Sequence, residues 1–268
     1  MYDTNLKCDL KDTGFKYLDR VIHSFVGGSE LHGAKLHGTD DHDVMGIYIE
    51  PPIDMLGLEQ TPHLVWSTSK SGERNCPHDV DVTFYGLQKW ARLAVKGNPS
   101  ILNFMFAPRN PSLEYPQSYA WKELMDEKEF FLARSHWKQF SGYAGAQLAR
   151  MVGERNRKTN RPELVEAYGY DTKFAMHTIR ILSEGLELLQ TGNISFPSCE
   201  VDLLREIRRG ERSQDWVIDE CKRRMEALET FGKNTSVHLP MANEIDRQHV
   251  SYLIERTYRE YWIRKGDR

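Results

Sequence analysis

The sequence predicts an α+β protein: an N-terminal α/β domain, residues 1–112, followed by a C-terminal helical domain, residues 113–268. Three observations predict it. Up to Phe106, short apolar or alternating runs separated by Gly and Pro turns dominate, and alternation marks a half-buried strand. Beyond Pro108 the apolar residues recur at helical spacing with little sign of strand. Between the two, the segment RNPSLEYPQS carries two prolines and several turn formers, which puts the boundary near residue 112.

Residues 1–20 read as a lead-in that packs beside a first strand, Val21 to Val26. Gly27, Gly28 and Ser29 follow at once. A short helix or ordered loop from about Ser29 to His37 then leads to Asp41 and Asp43, at the head of a second apolar run, Val44 to Ile49. Residues two apart on a strand share a face, so Asp41 and Asp43 would stand side by side with His42 turned away. Two carboxylates that close repel unless a cation lies between them, and hard cations such as magnesium take oxygen ligands of this kind. The glycine turn has a separate use, letting backbone N–H groups approach phosphate oxygens. The bland alternative is a solvated loop end; glycine turn and acid pair together favour a site. His32, His37 and His42 lie in the same segment, as solvated loop residues or as phosphate contacts.

Pro51 and Pro52 end the acid-bearing strand. The segment from Ile53 to Pro77 reads as a loop with one strand, His63 to Ser67. From Asp79 to Phe84 acids alternate with β-branched and aromatic residues, a strand with one polar face on which Asp79 or Asp81 can supply a third carboxylate. An edge strand showing acids to water has the same pattern. The helix after it stops at Lys96-Gly97-Asn98-Pro99, where glycine closes the helix, proline forbids its continuation, and Asn98 can be a cap. Ile101 to Phe106 is apolar with Asn103 inside it.

In the second half a helix from about Ser135 to Gly153 leads to Arg150, Arg155, Arg157, Lys158 and Arg161, a basic stretch that is either a solvated loop or a nucleic-acid contact. A second helix, Asp171 to Gln190, has Ala175, Ile179, Leu182, Leu186 and Leu189 on one face. Lys173, His177, Arg180 and Glu184 lie on the other, as on any surface helix. Further helices, Glu200 to Arg209, Asp215 to Phe231 and Asn243 to Trp262, complete this half without recognisable chemistry.

Composition limits the classes. A chain of 268 residues can bury a substantial core, and its six Trp and twelve Tyr argue against disorder. A net charge of -3 supplies no global field for nucleic acid, so contact with RNA or DNA has to come from local patches. Cys8, Cys76, Cys199 and Cys221 lack paired spacing, the usage of reduced thiols in a cytoplasm rather than of a disulfide frame or a zinc site. With no basic start before an apolar segment and no apolar run long enough to span a bilayer, neither secretion nor membrane insertion is expected.

Gly28-Ser29, then Gly33, Thr39, Asp41-x-Asp43 and Gly46, followed by Asp81 and Lys96-Gly97-Asn98-Pro99, resemble the polymerase-beta-like nucleotidyltransferase superfamily, in the RNA-repair-associated branch of bacteria and phages. Gly169-Tyr170-Asp171-Thr172-Lys173 with Ala175, Met176, His177 and Arg180 is similar to that branch's second motif. The resemblance implies a mixed sheet in the first domain and transfer of a nucleoside monophosphate from an NTP to an acceptor hydroxyl, with an RNA or tRNA end favoured and pyrophosphate released. It implies that Asp41, Asp43 and Asp81 hold two magnesium or manganese ions, Asp79 being the runner-up to Asp81, which also takes the acceptor's proton. Gly28 and Ser29 would grip the triphosphate, helped by Lys173, His177 and Arg180 from a helix facing the acids, with Asn98 near the cleft. Glu30 and Met45 stand where relatives commonly carry arginines, and Asn103 where they often carry glutamate. A protein side chain or a small molecule as acceptor, or a non-catalytic nucleotide-binding module, are the rival readings. Three converging carboxylates argue against the last, since without a metal they cost repulsion.

Overall fold

Four strands, β1 (Val21–Val26), β2 (His42–Tyr48), β3 (His63–Ser67) and β4 (Val80–Gly86), form one mixed sheet in the order β1-β2-β4-β3. β2 and β4 pair in parallel, while β1 and β3 run antiparallel to their neighbours. The computed structural model describes residues 13–36, 42–58, 60–69, 79–108, 118–152, 161–234 and 240–267. Asp41, His37, Thr39, the boundary near 112, Arg155, Arg157, Lys158, Cys8 and Cys76 lie outside them.

Alternation along β4 decides how the sheet is covered. Val80, Val82 and Phe84 are buried on one face, and Asp81, Thr83 and Tyr85 turn to the other. The first face is closed by the lead-in, whose Phe15 packs edge-on against Tyr48 at 5.0 Å and Phe84 at 5.7 Å. The second face meets the helices, with Phe25 and Ile47 in the main core.

Along the first part of the chain the helices are short: α1 (Gly28–Leu31), α2 (Pro52–Leu56), α3 (Leu87–Ala94) and α4 (Pro99–Leu102). Then come α5 (Tyr119–Met125), α6 (Trp137–Met151), α7 (Pro162–Tyr168), α8 (Thr172–Thr191), α9 (Val201–Arg208), α10 (Gln214–Lys233) and α11 (Arg247–Lys265). α6 starts later than its apolar spacing suggests, because Arg134–His136 forms a 3-10 turn. α8 is the axis of this layer, with α6, α9 and α10 packed on it. The Asp171 carboxylate caps it by accepting from the Lys173 and Phe174 N–H groups, both at 3.0 Å, and Gly192 in the left-handed conformation ends it.

The polar stripe of α8 is not a plain solvated face. Arg180 is 7% exposed and Glu184 4%, because α9 and residues 32–34 lie over that side. The main core runs without a break from Ile22, Phe25 and Trp90 to Trp121, Phe140, Ile179 and Leu253. Across it the Ser118 N–H donates to the Ile22 carbonyl at 3.2 Å, and the His23 ring stacks on Trp121 at 4.6 Å.

α11 returns to the sheet and is held there by a buried acid. Glu50, 4% exposed, accepts from the Leu87 N–H at 2.9 Å and from the Tyr258 hydroxyl. That hydroxyl accepts from the Gln88 N–H at 3.0 Å, and Trp262 Nε1–H donates to the Glu50 carbonyl at 2.9 Å. Burial pushes the Glu50 carboxyl up, against hydrogen bonds that favour its anion. Arg20 adds a two-pronged pair to Asp267, at 2.7 and 2.5 Å. Among the described residues no helix is long and apolar enough to cross a membrane, and Cys199 and Cys221 are free thiols.

Glu50→Ala strands the Leu87 N–H and the Tyr258 hydroxyl inside the core. It is expected to cost about 2–4 kcal/mol of unfolding free energy, read as a lower urea midpoint at unchanged slope. Glu50→Gln keeps an acceptor and should cost less; equal losses from both would sink the hydrogen-bond account.

Candidate active site

β1 delivers the glycine turn to the head of β2. The Gly27 N–H donates to the Asp43 carbonyl at 2.8 Å, and Gly28 takes a positive φ of 57°. A Cβ on Gly28 would lie 1.8 Å from Asp43 Oδ2. Asp43 therefore has its carboxylate directly against the turn, in space that any side chain at 28 would fill. Ser29 is the next residue of α1, and its carbonyl accepts from the Ala34 N–H at 2.9 Å, folding the segment back on itself.

The parallel register of β2 and β4 sets Asp43 opposite Asp81, two partly buried carboxylates on one face of neighbouring strands. Asp79 stands before the strand. Its carboxylate accepts from Thr68 Oγ1 at 2.9 Å and its carbonyl from the His42 N–H at 2.8 Å, so the register pairs Asp81, not Asp79, with Asp43. Adjacent carboxylates beside a turn without side chains are the hard oxygen donors that magnesium or manganese takes, and the residues present fit such an ion. Among the described residues no group of three metal-binding side chains is assembled, Asp41 lying outside them.

Behind the turn lies a buried polar cluster. Arg180 Nη1 donates to Glu184 Oε1 at 2.8 Å and lies 2.9 Å from His32 Nε2, while His32 Nδ1 is 3.0 Å from Glu184 Oε1. Burial, then the Arg180 charge, holds His32 below the usual imidazole range, so the ring is neutral with Nε2 as acceptor. Burial pushes the Glu184 carboxyl up, but Arg180 and His32 outweigh it and hold it low. His177, one turn earlier on α8, is driven well below the imidazole range by burial and then by Arg180, Lys173, His32 and Arg161. Four cationic or imidazole groups thus surround one neutral ring, a setting that favours an anion. Arg161 is partly committed: its Nη1 donates to Asp171 Oδ2 at 3.4 Å and its guanidinium lies 5.4 Å over the Phe174 ring.

The loop joining turn and cluster is held by α9. Arg205 Nε donates to the Gly33 carbonyl at 2.9 Å, Arg208 Nη1 to the Ala34 carbonyl at 3.1 Å, and the Ser198 N–H to the His32 carbonyl at 3.3 Å. Gly33 has φ of 70°, and a Cβ on it would meet Val201 at 2.8 Å. Sequence reasoning missed these roles for His32, Glu184, Arg205 and Arg208. The available signal was the Arg180–Glu184 pair at helical spacing on a helix already apolar along its other side.

Asn98 caps α4, its Oδ1 accepting from the Ile101 N–H at 3.3 Å, and its Nδ2 donates to the Tyr143 hydroxyl at 2.8 Å. Asn103 is 4% exposed and its Oδ1 has no hydrogen-bond partner among the described residues. Glu30 pairs with Lys35 at 3.0 Å, and the Met45 side chain packs over Gly27, so neither position contributes a cation here.

An uncharacterized 38.9 kDa protein of Enterobacteria phage T4, from the nrdC-mobD intergenic region, is 25% identical over 130 residues. The match takes in 48% of this chain and 38% of that protein, so the chain spans well under half of its relative's length. The crystal structure of a nucleotidyltransferase-like protein from Exiguobacterium sibiricum 255-15 aligns over 98% of this chain and 91% of that one, at 12% identity and a TM-score of 0.24. The profile of the RNA repair pathway DNA polymerase beta family, RlaP, matches residues 6–257, from before the glycine turn to α11, and the chain belongs to that family.

Proposed function

We propose that this protein is a divalent-metal-dependent nucleotidyltransferase that moves a nucleoside monophosphate from an NTP to the hydroxyl of an RNA or tRNA end. Residues 1–112 act as the catalytic domain, and the helical domain, residues 113–268, supplies α8. The observation that carries the reading is the register of Asp43 with Asp81 directly beside the Gly28 turn. Membership of a polymerase-beta family supports the reaction class.

In this reading the Gly28 and Ser29 backbone grips the triphosphate, while Lys173 and Arg180 offset its charge and the neutral His177 donates a hydrogen bond. Asn98 steadies the wall of the cleft through Tyr143. Asp41, Asp43 and Asp81 would hold two magnesium or manganese ions, which when bound supply Lewis-acid stabilisation of the reacting phosphate. Asp81 takes the proton of the acceptor hydroxyl as its oxygen bonds to the α-phosphorus in line; the bond from that phosphorus to the bridging oxygen breaks, and pyrophosphate departs.

The test is incubation with each α-labelled NTP, magnesium and total RNA. Label is expected on RNA with the wild-type chain and to fall at least a hundredfold, by order of magnitude, in Asp43→Ala and Asp81→Ala. Unchanged transfer in both variants would overturn the assignment, and label on protein or on a small molecule would overturn the RNA acceptor. Gly28→Ala, which forces a Cβ into the Asp43 carboxylate and distorts the turn, should abolish transfer and weaken nucleotide binding with it.

His177 gives a pH prediction. Its ring is neutral at pH 7 because its folded pKa lies well below 6.5. A bound phosphate favours the protonated ring and raises its pKa from that depressed value, so nucleotide binding takes up a proton there and affinity should strengthen as pH falls towards the depressed value of the free ring. The difference in slope between wild type and His177→Asn, by titration calorimetry, isolates this from the nucleotide's own titration; identical slopes would remove His177 from the phosphate site.

A further inference from the structure

The strand order β1-β2-β4-β3 lines up the glycine turn, Asp43, Asp81 and then an edge strand. On the face that carries Asp81 no strand or helix among the described residues covers that edge. His63 is exposed and Val65 is 66% exposed, and the register places Ser67 beside Asp81, Val65 beside Thr83 and His63 beside Tyr85. The last row is built differently from the first. The His63 and Tyr85 rings lie near parallel, 6.3 Å apart at 19°, and Lys89 Nζ sits 5.6 Å over Tyr85 and 2.8 Å from His63 Nδ1. Burial and then the Lys89 charge hold His63 below the imidazole range, so the row's positive charge is on Lys89. Tyr143, 41% exposed, approaches from α6, close enough to act with burial in raising the Tyr85 phenol.

We infer that the strip from Asp81 to Tyr85, along the open edge of β3, binds the single-stranded 3′ end of an RNA acceptor, with the terminal hydroxyl at Asp81, a base on the Tyr85–His63 rings and an upstream phosphate at Lys89. With a triphosphate on the glycine-turn side of Asp43, the acceptor has the β3 side left to enter by; this direction rests on the transfer reading above. Charge runs the way such an end requires. Carboxylates lie where the hydroxyl reacts, and the Lys89 ammonium, from α3, reaches over Tyr85, four residues along the strand and roughly 13 Å away, where the chain's phosphates follow. Aromatic faces at that row accept a base of any identity, which suits an end-modifying enzyme and not a sequence reader. An apolar peptide would leave Lys89 without a use.

Binding of a short fluorescein-labelled single-stranded RNA to the full chain, read by anisotropy without NTP, tests this independently of transfer. Val65→Asp puts a charge on an exposed site where folding is not at stake, and Lys89→Glu reverses the cation. Each is expected to weaken RNA binding about tenfold, and Lys89→Ala to lower the salt slope by about one. In a transfer assay the same variants should raise the KM for RNA and not that for NTP. Ile263→Asp, on the remote α11, is the control. Undiminished RNA affinity in Val65→Asp and Lys89→Glu, or no RNA binding by the wild-type chain, overturns the inference. Transfer to RNA with unaltered KM in the variants also overturns it while leaving the transferase reading intact. RNA binding lost in the variants without any transfer upholds the strip and fails the transferase reading.

Discussion

The carboxylate of Asp43 and the bare α-carbon of Gly28 share a space too small for one more carbon atom. That contact fixes where β1 ends, since the Gly27 N–H must reach the Asp43 carbonyl, and it fixes which way the turn opens. It also explains the sheet order. β2 has β1 on one side to bring the turn and β4 on the other to bring Asp81, so the acid strand has to be internal and flanked by one antiparallel and one parallel neighbour. α9 then grips the far side of the same segment through Arg205 and Arg208. Sheet and helical layer thus converge on one short loop, residues 27–34.

Charge in this protein is arranged in two tiers. Near the sheet end, carboxylates are brought together on adjacent strands, a placement that repels without a cation. One layer behind, Lys173, Arg180 and the imidazoles of His32 and His177 collect around α8, with Glu184 balancing Arg180. In the proposed transferase reading, an anion between the tiers would meet cations on one side and a bound metal ion on the other. The neutral state of both imidazoles follows first from their burial and then from the same arrangement, since a further positive charge there would face those already present.

Much of this was legible in the sequence because it is local. β1 and β3 have the bounds their composition suggests, the turn is spelled by consecutive glycines, and α8 begins at an Asp that caps it and ends at a Gly. The rest depends on partners far along the chain. Period-two alternation says that Asp79 and Asp81 share a face, but only the pairing with β2 says which of them meets Asp43. Arg180 and Glu184 read only as part of a polar helix face, because nothing near them in sequence shows that α9 and the loop at Gly33 cover that side. Glu50, too, stands at a strand end before two prolines, and its cap on α3 reaches 37 residues along the chain and its link to Tyr258 reaches 208.

The His32–Arg180–Glu184 cluster has a consequence for how such a chain drifts. Buried ion networks add little net stability, and replacing all their members by apolar side chains of similar size is often neutral or favourable for folding. Removing one member alone is costly, so single steps away from the cluster are blocked while a concerted change is not. Variants chosen for expression or heat resistance would therefore be free to lose the cluster entire and remain well folded, carrying a sound scaffold with a silent site. Retention of all three residues among distant relatives would mark them as kept by use, because folding alone has no reason to keep them.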